Sequence, residues 1–248
     1  MSPTRRDPLQ FTLLGLQIGA PELLENRLPG PDAGTAAGTF RTAMRKIAVP
    51  GPVLATATGL IGDDVASTDA HGGTENAVCV YCAAHYATWQ TDRVVAASGL
   101  GAFGDFGENL TLGMPPGGRP AAPGALHAGV TEDDVCIGDV FTTGVVEFEI
   151  SKPREPCSKL NRRWGVPDLR ERVRDTNRCG WYMRVRREGF VSAGDTLTLI
   201  ARPNPAWTVA RAHRHLYFQE DGPAGDVALS TLPGLAESWQ ARFARKLQ

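Results

Sequence analysis

The feature that most constrains the fold is a repeated pattern of short apolar stretches, each stopped by a glycine–aspartate pair. Residues 51–57, 77–81, 140–150 and 196–200 are rich in Val, Ile, Thr and Phe, and Gly62-Asp63, Gly138-Asp139 and Gly194-Asp195 punctuate them. Branched and aromatic residues suit a pleated, half-buried strand, whereas Gly and Asp suit the turns between strands. Residues 11–19 are a further apolar run ending in glycine and predict a first strand. Many short strands without long helical periodicity predict a mainly β protein on a curved or closed, barrel-like sheet.

The pattern stops after Arg202-Pro203-Asn204-Pro205. Thr208 is placed to cap a helix running to Phe218, and Leu235, Trp239, Phe243 and Leu247 recur every four residues, as on one face of a helix. Residues 1–202 are therefore expected to form the β domain, with a flexible tail over about 1–10. Residues 203–248 are expected to form a small, separate helical unit in which Pro233-Gly234 divides two helices. Residues 27–39 and 113–129, rich in Pro, Gly and Ala, are expected to be loops.

Composition excludes several function classes. The net charge of −1 offers no global attraction to a nucleic acid polymer or an anionic membrane. The first ten residues are polar, carry Arg5 and Arg6, and lead into no apolar run long enough for a signal peptide or a membrane span. Five cysteines, an odd number, argue for reduced thiols in the cytoplasm over a disulfide framework.

One segment concentrates chemistry. Residues 151–164, SKPREPCSKLNRRW, follow the strand of 140–150. Pro153 and Pro156 are expected to halt that strand and hold Cys157 in a rigid turn. Lys152, Arg154, Lys159, Arg162 and Arg163 surround the thiol in sequence, against one acid, Glu155. Cations near a thiol favour the thiolate, which is both the nucleophile and the soft-metal ligand, and the same cations suit a phosphate. Composition alone leaves a solvated basic turn with an incidental cysteine equally open.

The segment resembles the PRxPCxKL signature of YiiM-like MOSC-domain proteins, matching at Pro153, Arg154, Pro156, Cys157, Lys159 and Leu160. Other signatures follow in the family's order: Gly59-Leu-Ile-Gly-Asp-Asp64, His71-Gly-Gly73, Phe106-Gly-Glu-Asn-Leu110, Val135-Cys-Ile-Gly-Asp-Val-Phe141 and Gly180-Trp-Tyr-Met-Arg184. Glu188-Gly189 through Ala193-Gly-Asp195 and the C-terminal helices also look like this branch, so the resemblance covers most of 45–248. Ser158 departs from it, standing where relatives often carry an aromatic residue.

The resemblance implies a β-rich fold and a pterin-bound molybdenum cofactor, with Cys157 as the thiolate ligand of the metal. It places Asn109 in the cofactor pocket and His71, Gly72 and Gly73 along another wall. Arg154 and Lys159 are chemically suited to the pterin phosphate, and Lys46 is a further candidate. The implied activity is two-electron reduction of N-hydroxylated compounds, including base analogues such as 6-hydroxylaminopurine. The sequence shows no flavin fingerprint, haem motif or iron–sulfur cysteine run, so a separate flavoprotein or ferredoxin-like donor is expected. Sulfur transfer through a Cys157 persulfide and a cofactor carrier without turnover are the alternative readings, and a homodimer is left open.

Other signals are set aside. Gly99-Leu-Gly-Ala-Phe-Gly104 spells a dinucleotide fingerprint but leads into another turn, not a helix. Cys79-Val-Tyr-Cys82 with His85 has the spacing of half a zinc site, yet residues three apart on a strand face opposite ways, and no second pair follows. Cys79, Cys82 and Cys136 are expected to be core thiols, with Cys179, in a polar turn, a minor competitor to Cys157. Asn109-Leu-Thr111 matches a glycosylation acceptor that has no secretory route to use it. His213 and His215 are expected at the surface or in helix packing, His127 is given no role, and the Trp239/Phe243 stripe is expected to be core.

Overall fold

The computed structural model describes residues 8–28, 38–49, 51–67, 72–115 and 129–248. The strands are β1 (Gln10–Ile18), β2 (Glu22–Glu25), β3 (Thr39–Thr42), β4 (Ile47–Ala48), β5 (Val53–Thr56), β6 (Gly59–Leu60), β7 (Val78–Cys82), β8 (Leu110–Gly113), β9 (Val140–Thr142), β10 (Glu147–Pro153), β11 (Trp181–Arg187), β12 (Gly189–Val191) and β13 (Thr196–Ala201). The helices are α1 (Ala83–Trp89), α2 (Arg93–Ala97), α3 (Lys159–Trp164), α4 (Leu169–Asp175), α5 (Val209–Phe218), α6 (Gly222–Ser230) and α7 (Glu237–Lys246). The main sheet runs β13-β9-β10-β11-β7-β8-β1, and β13 also pairs with β1, so seven strands close into a barrel. Closure leaves no edge among those seven, which removes the hazard of unpaired backbone groups.

The expected strands all form, with one revision. The run 140–150 divides into β9 and β10, because Thr143 and Val146 close a tight turn (N–H to O, 3.1 Å) around Gly144, whose φ is 92°. That positive φ is easily reached by glycine and rarely by other residues. All the ring pairs are antiparallel except β7 with β8. A parallel pair requires a long crossover, and α1 and α2 provide it.

β7 is buried along its whole length because its two faces meet two different cores. Val78, Val80 and Cys82 point into the barrel, whereas Tyr81 packs with Trp89, Phe106, Leu160 and Leu169 in a second core under α1 to α4. The register carries this alternation across strands. Pro153, Trp181 and Val80 form one row, and Lys152, Tyr182 and Cys79 form the next, on the outer face.

The expected C-terminal helices form as α5, α6 and α7. Thr208 caps α5 as expected, accepting the Arg211 N–H at 3.0 Å. However, Leu216, Leu229, Leu235, Trp239 and Phe243 belong to the same continuous core as the barrel residues Phe148, Ile150 and Trp181. Their apolar faces bury against the barrel because three short helices alone cannot enclose a core of their own. His213 and His215 are fully buried in this layer, so packing, not surface exposure, is their setting.

Candidate functional site

The turn after β10 forms as the prolines suggest. The strand ends at Pro153, the Arg154 N–H donates to the Gly180 carbonyl at 3.0 Å, and the Leu160 N–H returns to the Cys157 carbonyl at 3.0 Å to start α3. Of the five cysteines, Cys157 alone is not buried. It opens onto a solvent-open cavity, which Lys46, Gly72, Asn109, Arg154 and Lys159 also line. Those residues come from widely separated parts of the chain and meet because the barrel closes. Gly73 stands beside this wall at φ 88°, before a short 3-10 turn (Thr74–Asn76), and is not among the lining residues. His71 lies outside the described residues, as does His127.

The lining groups differ in what they have left to offer. Asn109 is used by the fold itself: its side-chain oxygen accepts the Cys79 N–H at 3.0 Å and its amide donates to the Gln17 carbonyl at 3.3 Å. It holds β7 and β1 together at the cavity floor. Lys46 forms a nearly buried ion pair with Asp63, so its charge is already neutralised. Arg154 is different. The residue is 6% exposed, and no ion pair among the described residues involves it. Burial alone would lower its pKa, but Cys79, Tyr182 and Glu108 around it outweigh that and hold it raised, so it stays a cation. Lys159 is half-buried at the rim and also enters no ion pair among the described residues.

The basic turn contributes fewer cations than its sequence suggests. Lys152 lies over the Tyr182 ring at 5.6 Å and Arg162 over the Phe40 ring at 5.9 Å. Arg163 donates to the Met44 carbonyl, pairs with Asp105 at 3.3 Å and stacks on Trp164 at 4.7 Å. These three are consumed by packing and do not line the cavity. The turn's one acid, Glu155, accepts from Trp239 at 3.1 Å and from Arg242 at 3.0 Å, both on α7.

Cys79 corrects the expectation of a simple core thiol: it lines the cavity floor beside Tyr182. Burial pushes its pKa up to about 11, with Arg154 opposing, so it remains a thiol near neutral pH. Cys179 is buried in the second core, and burial pushes its thiol well up, which removes it as a competitor to Cys157. The glycine run at 99–104 forms a turn in which Gly101 and Ala102 donate to Asp105 Oδ2 at 2.8 and 2.7 Å. Asn76 and Tyr182 are lining residues that sequence reasoning missed. Tyr182 stood inside a recognised motif, but only the register shows that its side chain faces the cavity and not the barrel.

A model of the MOSC domain matches residues 67–198, more than half of the chain. The chain belongs to the MOSC family. A second model, the YiiM-like 3-alpha helix domain, matches residues 207–248. This MOSC protein is 37% identical over 193 residues to a Gibberella moniliformis protein named Reductase, covering 77% of the present chain and 31% of that protein. It therefore spans about a third of that relative's length. It is 33% identical over 207 residues to Protein YiiM of Escherichia coli, covering 80% and 81% of the two chains. The crystal structure of YiiM from Geobacillus stearothermophilus matches with a TM-score of 0.71 at 27% identity, over 96% of this chain and 100% of that one. Membership of the MOSC family points to molybdenum-cofactor binding. Among the described residues, no helix is long and apolar enough to cross a membrane.

The cavity fits such a cofactor by the chemistry of its donors. Cys157 is a soft metal ligand. The buried Arg154, which enters no ion pair among the described residues, matches a phosphate, which a guanidinium grips with paired donors. Asn76 Oδ1 is buried at the cavity wall without a hydrogen-bond partner among the described residues, and it suits an N–H of a pterin ring.

Proposed function

We propose that this MOSC protein is a molybdenum-dependent reductase of small N-hydroxylated compounds, with base analogues such as 6-hydroxylaminopurine as the substrate class. The observation that supports this most is that the chain's one accessible thiol, Cys157, shares a cavity with the buried Arg154, which enters no ion pair among the described residues. When bound, the cofactor supplies two-electron redox chemistry at a thiolate-ligated metal; the net reaction converts R–NHOH, two electrons and two protons to R–NH2 and water. In this reading Cys157 holds the metal, Arg154 and Lys159 hold the phosphate, and Asn76 orients the pterin. The buried Cys79 and the half-buried Tyr182, both neutral, form the floor. A separate flavoprotein or ferredoxin-like protein delivers the electrons.

The test is molybdenum content of the purified chain, followed by reductant-driven turnover of 6-hydroxylaminopurine, in wild type and Cys157→Ser. Wild type should retain molybdenum and turn over; Cys157→Ser should do neither. A wild-type chain that carries cyanide-releasable sulfur on Cys157, without molybdenum or reductase activity, overturns the reading in favour of sulfur transfer.

A further inference from the structure

Behind the cavity floor, Cys82, His85 and Glu132 converge. A ligand atom from each lies within 4.8 Å of the other two, and the three residues are 0%, 5% and 2% exposed. The spacing Cys79-Val-Tyr-Cys82 suggests half a zinc site, and strand alternation does send the two thiols to opposite faces. Cys79 turns to the cavity and Cys82 into the barrel. The partners of Cys82 come from elsewhere: His85 from the first turn of α1, and Glu132 from 47 residues further along.

Two further observations separate this cluster from an ordinary buried hydrogen bond. Glu132 is fixed on both oxygens, with Oε2 at 2.7 Å from His85 Nε2 and Oε1 accepting the Gly180 N–H at 2.7 Å. That anchor is itself rigid. Gly180 has φ 72°, and a Cβ there would stand 2.2 Å from the Val80 carbonyl oxygen. Its neighbour Cys179 is equally buried and lies within electrostatic reach of both Cys82 and Glu132. The interior thus assembles a thiol, an imidazole and a carboxylate around one point, with a second buried thiol, Cys179, outside that cluster but within electrostatic reach of it.

We propose that Cys82, His85 and Glu132 bind one zinc-type divalent ion, which recruits the nearby Cys179 as its fourth ligand. Two sulfurs, one nitrogen and one oxygen form a donor set that zinc accepts and that magnesium or calcium does not. With zinc–ligand bonds of about 2.0–2.3 Å in a tetrahedron, neighbouring ligand atoms stand roughly 3.4–3.8 Å apart. The His85–Glu132 pair therefore opens modestly as the ion replaces the proton the pair shares, and Cys179 turns in as fourth ligand. Two thiolates and a carboxylate around a doubly charged ion leave one net negative charge. The Arg154 cation, within electrostatic reach of Cys179, offsets it. The role is structural: the ion ties the start of α1, the segment before β9 and the start of β11. The Gly180 carbonyl that holds the Arg154 backbone belongs to the last of these.

The test uses the full chain, purified without an affinity tag, then unfolded and refolded with zinc and no molybdenum. Wild type and Cys157→Ser should each hold about one zinc ion per chain after gel filtration. Cys82→Ser and His85→Ala should hold less than about a tenth of that, and a chelator should lower the wild-type melting temperature. Cobalt refolded into wild type should show thiolate-to-metal charge transfer, weakened in Cys179→Ser. Wild-type protein that refolds without zinc overturns the proposal, as does equal zinc in Cys82→Ser. A loss of zinc in Cys157→Ser as well moves the metal to the cavity and also overturns it. None of these outcomes depends on molybdenum binding or reductase turnover.

Discussion

Trp239 donates its indole N–H to Glu155 Oε1 at 3.1 Å, two residues from Cys157, and so fastens the last helix to the turn that carries the reactive thiol. The ring below that bond is 2% exposed and sits in the barrel's own core. Removing everything after Arg202 withdraws Trp207, Leu216, Leu229, Leu235, Trp239 and Phe243 from it. At roughly 1.5–3 kcal/mol for each large side chain, the loss reaches or exceeds the whole stability of a typical domain, about 5–15 kcal/mol. The truncated chain is expected to be unfolded by circular dichroism. Trp239→Ala should cost about 3–5 kcal/mol in urea unfolding, and Trp239→Phe much less. A truncated chain that melts cooperatively would show the helices to be dispensable.

The five thiols should separate cleanly by position. Cys157→Ser is expected to lose molybdenum retention and turnover while unfolding at the same urea concentration as wild type, because the thiol is only half-buried. Cys136→Ser should keep activity, since Cys136 is buried beside the Pro205 carbonyl (3.7 Å) and does not line the cavity. Cys79→Ala should keep the fold but alter cofactor retention, as its thiol lines the floor. Measured together, activity loss in Cys136→Ser equal to that in Cys157→Ser would remove the special status of the accessible thiol.

The sequence made the barrel's strands legible because glycine–aspartate turns cut the apolar runs at the right places. Closure was not written in any local pattern: it is the pairing of Phe11 with Leu197, at opposite ends of the β domain. The helices α1 to α4 escaped notice because they are five to seven residues long, too short for a helical period to show. The thiol at Cys157 was visible through its prolines and flanking cations. Which cations serve it was not. Arg154 and Arg163 look alike in sequence, yet one points to the cavity and the other is spent on Met44 and Asp105. Charge density in sequence does not give direction.

That difference is measurable in cofactor retention. Arg154→Ala should weaken it by roughly ten- to hundred-fold, the worth of one charged hydrogen bond of about 1.5–3 kcal/mol. Arg154→Lys should recover only part, because a point charge cannot replace the paired donors of a guanidinium. Lys159→Ala, at the rim, should weaken retention less and in a salt-dependent way. Lys46→Ala should act mainly on stability, on the order of 3 kcal/mol, because it leaves Asp63 nearly buried without its partner. Equilibrium dialysis of the cofactor across a salt series, beside urea unfolding, separates the two effects. Equal retention in Arg154→Ala and wild type would take the guanidinium out of the site.

The acid limb of the stability curve should report on His213. Its ring is fully buried, packs at a tilt against Tyr217 with centroids 4.8 Å apart, and has neither nitrogen hydrogen-bonded among the described residues. Burial lowers its pKa to about 4; Glu132 opposes that, while Arg214 and Arg174 reinforce it. The unfolded chain protonates this histidine near its ordinary value of about 6.5. Between those values the unfolded state binds more protons than the folded one, so stability rises with pH across that window. The contribution is complete above about pH 6.5, is lost as pH falls, and is gone below about pH 4. Its full size is on the order of 3 kcal/mol, at 1.36 kcal/mol for each pKa unit. Glu132, held lowered because His85 and the Gly180 N–H outweigh its burial, loses its own contribution in acid as well, so the wild-type slope contains both groups. His213→Leu removes one of them and fills the same apolar space without a proton to bind. Its unfolding free energy, measured by urea at half-unit steps from pH 4 to 7, should vary less steeply than that of wild type. An unchanged slope would mean that His213 is hydrogen-bonded or hydrated in solution and does not titrate as its buried setting requires.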